Sequence, residues 1–168
     1  MGQAIKRIAV NTGGGDAPGL NAVIRSIVLS ALRRGWEVLG IRKGYEGLLD
    51  TSKIIQLDRN SVRGITHLGG TILGTTNRSS PFEYPVKQAD GTTALIDRSD
   101  EVVESSKRLQ IDALIAIGGD GSMKIANGLF EKGLPVVTRY LNCSSKGNVF
   151  RCGFKIDIVR NGLVSVIP

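Results

Sequence analysis

Residues 113–122 read Ala113-Leu114-Ile115-Ala116-Ile117-Gly118-Gly119-Asp120-Gly121-Ser122. The apolar first half predicts a short buried strand, and the glycines after it predict a tight turn. The chain beyond the turn gives one apolar helical face, made of Met123, Ala126, Leu129 and Phe130. Ser122 is a candidate N-cap for this helix. Free amides at a helix start attract anions, so the stretch fits a phosphate loop, although plain turns share this composition.

Asp120 adds a carboxylate to the rim of this turn. A carboxylate repels a bare phosphate but suits a magnesium ion that carries one. The residue type therefore indicates a metal-bound phosphate rather than a free one.

A second unit of the same kind lies near the start of the chain. Residues 5–10 predict a strand, and Gly13-Gly14-Gly15-Asp16 predicts a turn in which Asp16 caps the next helix. That helix has the clearest periodicity in the chain, carried by Leu20, Val23, Ile24, Ile27, Val28, Ala31 and Leu32. A second strand is expected at residues 36–42. The loop lacks the Gly-Lys-Ser/Thr ending of a Walker loop, so a phosphate site and a tight turn remain equally open.

Two such units predict an α/β fold with an open, mostly parallel sheet and helices on both faces. Both glycine loops leave carboxyl ends of strands, where such sheets bind ligands. Between the units we expect a turn at 44–48, an edge strand at 54–57, an exposed loop at 79–93 and a helix at 97–109 capped near Ser99.

Composition indicates an ordinary globular domain, with 41% apolar and 22% charged residues in a chain of 168. No apolar run reaches membrane-spanning length and no signal-like start is visible, so we expect a cytoplasmic protein and no membrane partner. Residues 1–138 carry 17 Lys and Arg against 14 Asp and Glu. This modest excess does not indicate a nucleic-acid partner and fits small anionic ligands.

Residues 139–168 differ from the rest. They carry five basic residues against Asp157 alone, and both cysteines, Cys143 and Cys152. Two cysteines without a second pair do not predict a zinc site, and free thiols are expected.

Three further side chains have both a functional and a purely structural interpretation. Arg78 could clamp a transferring phosphate or be a solvated loop residue. Tyr45 could stack on a base or anchor a loop. Arg59 could form an ordinary surface ion pair with Asp58.

Four motifs in order resemble those of the phosphofructokinase family. They read Thr12-x-Gly14-Gly15-Asp16-Ala17-Pro18-Gly19-x-Asn21-Ala22-x-Ile24-Arg25, Gly44-Tyr45-x-Gly47-Leu48, Gly69-Gly70-Thr71-x-Leu73-Gly74 and Ile117-Gly118-Gly119-Asp120-Gly121-Ser122. The resemblance covers residues 4–137 and implies an ATP-dependent 6-phosphofructokinase of glycolysis. The family reaction transfers the γ-phosphoryl group of Mg-ATP to the 1-hydroxyl of fructose 6-phosphate.

The resemblance also implies roles for individual residues. Gly15 would contact the ATP phosphates and Arg78 would steady the transferred group, which makes these two the expected catalytic residues. Asp120 would hold Mg²⁺. The nucleotide would be bound by Gly14, Gly15, Tyr45, Arg78, Ser79, Gly119, Asp120, Gly121 and Ser122. Arg25 and Arg59 match positions of a regulatory, allosteric nucleotide site, and the family forms homo-oligomers.

Gly121 bears on the phosphoryl donor. In the family, aspartate at this position goes with pyrophosphate and glycine with ATP. The physical reason is that a carboxylate would crowd and repel the α-phosphate of ATP. The residue therefore favours ATP.

The resemblance stops near residue 138. The family continues with Thr-Ile-Asp-Asn-Asp, whose first aspartate is the general base, whereas this chain continues Thr138-Arg139-Tyr140-Leu141-Asn142-Cys143-Ser144-Ser145. Nothing aligns Asp157 with that role. We therefore expect a nucleotide-binding domain at 1–137 and a divergent basic tail at 138–168. A truncated or frame-shifted product would explain the change, and a natural divergent tail would explain it too.

Two alternatives to an active phosphofructokinase stay open. One is another kinase with a Gly-Gly-Asp-Gly motif, such as an NAD kinase, although the first and third motifs speak against it. The other is a non-catalytic Mg-ATP-binding fragment or a misfolding truncation product.

Overall fold

The computed structural model describes residues 5–15, 18–76, 80–142, 153–160 and 163–166, and the side chains of these ranges up to residue 139. The predictions for Asp16, Arg78 and Ser79 and for the two cysteines lie outside the described residues.

The described residues form a seven-stranded sheet and a separate two-stranded hairpin. The strands are β1 Arg7–Thr12, β2 Glu37–Ile41, β3 Ile54–Gln56, β4 Tyr84–Lys87, β5 Thr93–Ile96, β6 Ala113–Gly118, β7 Val136–Asn142, β8 Gly153–Arg160 and β9 Leu163–Val166. The helices are α1 Leu20–Arg33, α2 Glu46–Leu49, α3 Ser99–Arg108 and α4 Asp120–Glu131, with a short 3₁₀ turn at Thr51–Lys53.

Strand order in the large sheet is β3-β2-β1-β6-β7-β8-β9. The four strands β2, β1, β6 and β7 run parallel, which confirms the mostly parallel α/β sheet predicted from the two repeated units. β3 pairs antiparallel with β2 at one edge, as expected for a short edge strand. β8 and β9 add antiparallel strands on the other side, and β7 continues past the predicted boundary at residue 137.

Helices cover both faces of the parallel strands, as predicted. Ile8 and Val10 of β1 point to the core under α1, where they meet Val23, Ile24 and Val28. Between them, Ala9 points to the opposite core, which is formed with α3, α4 and the α2 region. The alternation along β1 places one glycine loop at the end of a strand that is buried on both faces.

α1 begins at Leu20. Its N-cap is Gly19, with φ of 91°, and no side chain among the described residues caps its first turn. The helix ends at Arg33, and Gly35 follows with φ of 74°, a conformation that glycine adopts readily after a helix.

The predicted exposed loop at 79–93 is wrong at Tyr84–Lys87 and at Thr93, which are strand residues. β4 and β5 pair antiparallel in this region. Their turn contains Asp90-Gly91, a strong hairpin signal that Pro85 in β4 obscured in the sequence. The hairpin lies apart from the large sheet, so its strands lack the apolar pattern of buried ones.

Three local predictions need correction. α3 begins at Ser99, and it is Asp97 that accepts hydrogen bonds from the Ser99 amide and hydroxyl, at 2.8 and 2.6 Å. These bonds hold the pKa of Asp97 below its usual range. The predicted turn at 44–48 becomes a short helix from Glu46. β1 runs over Arg7–Thr12 rather than over the predicted residues 5–10.

Candidate phosphate-binding site

The first glycine loop is bonded to two other segments. The Gly13 amide donates to the Ile117 carbonyl at 2.9 Å, which continues the β1–β6 pairing past the end of β1. Gly14, with φ of 83°, donates to the Thr76 carbonyl at 3.3 Å. These bonds bring the three glycine-rich stretches of the sequence together at one edge of the sheet.

The second loop packs against the first so closely that side chains are excluded. A Cβ on Gly118 would lie 2.6 Å from the Gly13 carbonyl oxygen and 2.8 Å from Ser122 Cβ. A Cβ on Gly13 would overlap the Ser122 hydroxyl. Gly13 and Gly118 therefore have no room for a side chain, because the backbones of the two loops pack directly against each other here.

Three other glycines of the two loops face open space. A Cβ on Gly15, Gly119 or Gly121 would meet nothing within 4 Å, whereas one on Gly14 would lie 3.7 Å from the Ser122 hydroxyl. The three open positions leave room for a ligand to approach the backbone, and they are three of the four loop glycines that the resemblance assigned to the nucleotide.

The prediction that Ser122 caps α4 is wrong. The N-cap is Gly119, and Ser122 lies in the first turn with 5% of its surface exposed. The Met123 amide is the donor that reaches the Gly119 carbonyl, at 3.1 Å. The amides of Asp120, Gly121 and Ser122 precede that bond and need acceptors from outside the helix. The start of α4 thus offers amides to an anion without a side-chain cap.

Asp120 is exposed at the start of α4. Among the described residues, no ion pair involves it, and no cluster of three metal-ligating side chains occurs there. A shallow cavity of about 540 Å³ lies against this helix, lined by Asp120, Met123, Lys124 and Asn127. The carboxylate is therefore free to face a cation, and a cationic lysine stands beside it.

Tyr45 is buried, with 3% of its surface exposed. Its hydroxyl donates to the Ser122 carbonyl at 3.1 Å. Burial raises the pKa of this phenol far above its usual value, so the hydroxyl keeps its proton. The geometry matches the loop-anchoring interpretation, since a buried ring offers no face to a base.

No individual role was predicted for Thr12, Thr71 or Asn21, whose hydrogen bonds join the segments that form the site. Thr12 Oγ1 lies 3.1 Å from Thr71 Oγ1 and donates to the Gly74 carbonyl at 3.0 Å. The Asn21 amide donates to the Leu68 and Gly69 carbonyls and accepts from the Ile72 amide at 2.9 Å. The available signal was a polar residue, Asn21, on the apolar face of α1.

The segment that leads to Arg78 enters the site at Thr76, whose carbonyl accepts from the first glycine loop. Because the described range stops at Thr76, the roles of Arg78 and Ser79 stay predictions.

The two candidate regulatory residues lie on the α1 side of the sheet. Arg25 Nη1 donates to the Val62 carbonyl, which ties α1 to the segment that carries Arg59. Arg59 is exposed. Asp58 pairs with the Ser61 amide and hydroxyl, both at 2.7 Å, rather than with Arg59. These contacts do not test a regulatory role, so the assignment of Arg25 and Arg59 to a regulatory site stays a prediction.

An open parallel sheet with nested glycine loops at adjacent carboxyl strand ends is typical of α/β proteins that bind phosphorylated ligands. Residues 7–140 match the family model described as phosphofructokinase. The chain therefore belongs to the phosphofructokinase family.

Curated relatives share nearly half of the matched residues. An ATP-dependent 6-phosphofructokinase 2 of Clostridium perfringens is 46% identical over 138 residues, which cover 82% of this chain and 37% of that protein. An ATP-dependent 6-phosphofructokinase 1 of Synechocystis is 47% identical over 135 residues, 79% of this chain and 36% of that protein. The chain thus spans little more than a third of the length of these relatives.

Solved structures agree on the fold. The chain matches phosphofructokinase from Saccharomyces cerevisiae at 34% identity and a TM-score of 0.62, over 76% of this chain and 16% of that one. The match to a pyrophosphate-dependent phosphofructokinase from Marinobacter aquaeolei has 18% identity and a TM-score of 0.57, over 80% and 32% of the two chains, and supports the fold alone. Within the described residues, no helix has the length and apolar character needed to cross a membrane.

Proposed function

We propose that residues 1–137 form the Mg-ATP-binding part of an ATP-dependent 6-phosphofructokinase. The family reaction would transfer the γ-phosphoryl group of Mg-ATP to the 1-hydroxyl of fructose 6-phosphate. The observation that carries the proposal is the nesting of the two glycine loops, in which Gly13 donates to the Ile117 carbonyl while Gly15, Gly119 and Gly121 face open space. The names of the curated relatives support the choice of reaction.

Mg²⁺ fits the donor set at the start of α4. Mg²⁺ takes few protein ligands, usually one or two carboxylates, and completes its shell with water and phosphate oxygens. Asp120 supplies one exposed carboxylate of this kind. When bound, the ion would neutralise charge on the phosphates of the nucleotide.

The backbone would supply most of the phosphate contacts. Gly15 of the first loop and the amides at the start of α4 would donate hydrogen bonds to phosphate oxygens. Gly14, whose amide donates to the Thr76 carbonyl, would line the phosphate site beside them. Arg78 and Ser79 would add side-chain donors from the segment that follows Thr76. Tyr45 would act indirectly, through the Ser122 carbonyl that it holds.

Gly121 favours ATP as the donor. An added Cβ there would meet nothing within 4 Å, so the site has room for the α-phosphate. The printed names of the curated relatives, which are ATP-dependent enzymes, support the same choice.

The part of the reaction that involves the acceptor, fructose 6-phosphate, has less support in this chain than nucleotide binding has. Its residues after Val137 do not contain the aspartate that serves as general base in the family, and we assign 138–168 to a divergent tail. We infer that the 168-residue chain binds Mg-ATP but turns over fructose 6-phosphate slowly or not at all. The cytoplasm and a homo-oligomer are the location and assembly we propose for the parent enzyme.

Calorimetric titration of the purified chain with Mg-ATP tests the proposal. We expect saturable binding that Asp120→Asn weakens about tenfold or more, the loss of one charge-assisted contact. Lys87→Gln in the hairpin is a control that changes a charge far along the chain. A coupled assay with fructose 6-phosphate should show little turnover. The absence of Mg-ATP binding by well-folded protein would refute the proposal.

A further inference from the structure

Lys43 has a backbone conformation that residues with a side chain rarely adopt. Its φ is 55°, and Gly44 follows with φ of 63°. Two successive positive values are typical of type I′ turns, which strongly prefer Asn, Asp and Gly. Any of these three residues would adopt the conformation at a lower cost than lysine does. The turn itself therefore does not explain why this position carries a lysine.

Gln110 is the other described non-glycine residue with a positive φ, at 53°. It directly follows Leu109, the C-cap of α3, and its amide donates to the Lys107 carbonyl at 3.0 Å. A left-handed residue after the end of a helix is common, so helix termination explains Gln110. Lys43 instead follows β2, where no helix ends. Strained residues of this kind are concentrated at ligand-binding sites.

Lys43 lies at the edge of the sheet that carries the first glycine loop. Asn11 of β1 pairs in register with Ile41 of the parallel strand β2. Gly13 and Lys43 follow these two partners at the same distance along the chain, two residues beyond each. The carboxyl end of β2 therefore brings Lys43 level with the loop, on the side of β1 that faces away from β6.

The turn at Lys43 also packs against the segment that leads toward Arg78. The Lys43 amide donates to the Leu73 carbonyl at 2.9 Å. A Cβ on Gly44 would lie 3.8 Å from the Thr76 carbonyl oxygen, which accepts a hydrogen bond from the first glycine loop. These contacts make the turn one wall of the candidate phosphate site.

The Lys43 side chain is exposed. The ion pairs formed by the described residues do not include it, so its ammonium group is available to a ligand. Lysine carries a full charge and three donor hydrogens on a flexible four-carbon stem, which suits phosphate oxygens. The amides of the glycine loop carry only partial charges. A lysine on this side therefore adds an attraction for phosphates that the loop alone does not supply.

We propose that Lys43 binds phosphate oxygens of the nucleotide from the β2 side of the site. The proposal rests on the proposed Mg-ATP function of this site. The left-handed turn holds the lysine backbone beside the first glycine loop, and Asp120 with its metal lies across the loop at the end of β6. The phosphates would thus have a cation on each side, Lys43 on one and the metal on the other.

Calorimetric titration compares Mg-ATP with Mg-tripolyphosphate, which has three phosphates and no nucleoside. Lys43→Gln removes the charge and keeps a side chain in the strained turn. It should weaken the binding of both ligands by about three- to tenfold, the loss of one charge-assisted contact. Lys43→Arg keeps the charge and should bind both within about twofold of the parent. The loss in Lys43→Gln should shrink as the salt concentration rises.

Lys43→Gly separates ligand binding from backbone strain. Glycine adopts this turn freely, so the melting temperature should rise by about 2–4 °C while the affinity falls as in Lys43→Gln. Gln110→Gly relieves the same strain just before β6 begins, and it should raise the melting temperature without changing affinity. Lys107→Gln removes a charge close to Gln110 and should bind like the parent.

The outcomes separate this proposal from the proposed function. Parent-like affinity of Lys43→Gln for both ligands would overturn the proposal and leave Mg-ATP binding standing. A loss for Mg-ATP alone would overturn it too, because the lysine would then act on the nucleoside. If the parent binds Mg-tripolyphosphate but not Mg-ATP, the proposed function fails, and the Lys43 variants still decide the phosphate contact. A well-folded parent that binds neither ligand would refute both.

Discussion

Thr12 and Thr71 join their hydroxyl groups at 3.1 Å, although they lie on separate glycine-rich segments of the chain. Thr12 donates its single proton to the Gly74 carbonyl at 3.0 Å, so Thr71 must be the donor of the pair. Thr71 Oγ1 also accepts from the Leu73 amide. One hydroxyl at the end of β1 thus fixes the segment that leads toward Arg78.

Thr12→Val should loosen this segment and lower stability by about 1–3 kcal/mol, because it leaves buried polar groups without partners. Thr71→Val also removes two bonds, but it should cost less, about 0.5–1.5 kcal/mol, because Thr71 is half-buried whereas Thr12 is fully buried. Urea denaturation of both variants measures the difference. Equal losses would contradict the difference in burial as the cause.

Gly118→Ala should destabilise the chain by about 1–3 kcal/mol, because its Cβ has no room between the Gly13 carbonyl and Ser122. Gly119→Ala is the neighbouring control, since nothing lies within 4 Å of a Cβ there and Gly119 has φ of −95°. Thermal melting should show a clear loss in the first variant and a small change in the second. Similar melting temperatures would mean that the loops do not nest as described.

Gly121→Asp should leave folding nearly unchanged, because its Cβ would point into open space. It should weaken Mg-ATP binding by about tenfold or more through charge repulsion. Gly121→Ala controls for the added volume and should bind within about threefold of the parent, as judged by calorimetry. Parent-like affinity in Gly121→Asp would show that the α-phosphate does not lie near this position.

Asp112 gives stability a dependence on acid pH. Its carboxylate accepts from the Arg7 and Lys6 amides, at 2.8 and 2.7 Å, and these bonds hold its pKa below the usual range. The contribution is complete above the unfolded pKa of about 3.9 and is lost as the pH falls through the lower folded pKa.

Asp112→Asn should therefore be less stable than the parent by about 1 kcal/mol at pH 7. The difference should shrink as the pH falls below 4, which urea denaturation at several pH values would show. A constant difference across that range would argue against ionisation of Asp112 as the cause.

The parallel sheet, its two-sided helices and the meeting of the glycine loops were predictable because buried strands and α1 carry strong periodic patterns. Ile8, Ala9 and Val10 alone indicate a strand buried on both faces. The caps were less predictable. Gly119 begins α4 without a side-chain bond, whereas the sequence favoured Ser122 as the cap.

The contacts that support the site from inside the fold could not be predicted from the local sequence pattern. Tyr45 bonds to Ser122 across 77 positions of sequence, and no local feature of the sequence marks Asn11 as buried. Such contacts depend on which strands become neighbours, and that is decided by the whole sheet rather than by any short stretch.

The bond from the Gly13 amide to the Ile117 carbonyl joins residues more than a hundred positions apart. The ligand-binding edge therefore cannot exist in any amino-terminal piece of the chain that stops short of β6. During synthesis the first glycine loop would leave the ribosome well before the second glycine loop. It could form its bond to the second loop only after β6 had also emerged. Nucleotide affinity would then appear late and all at once, which makes it a reporter of completed sheet assembly.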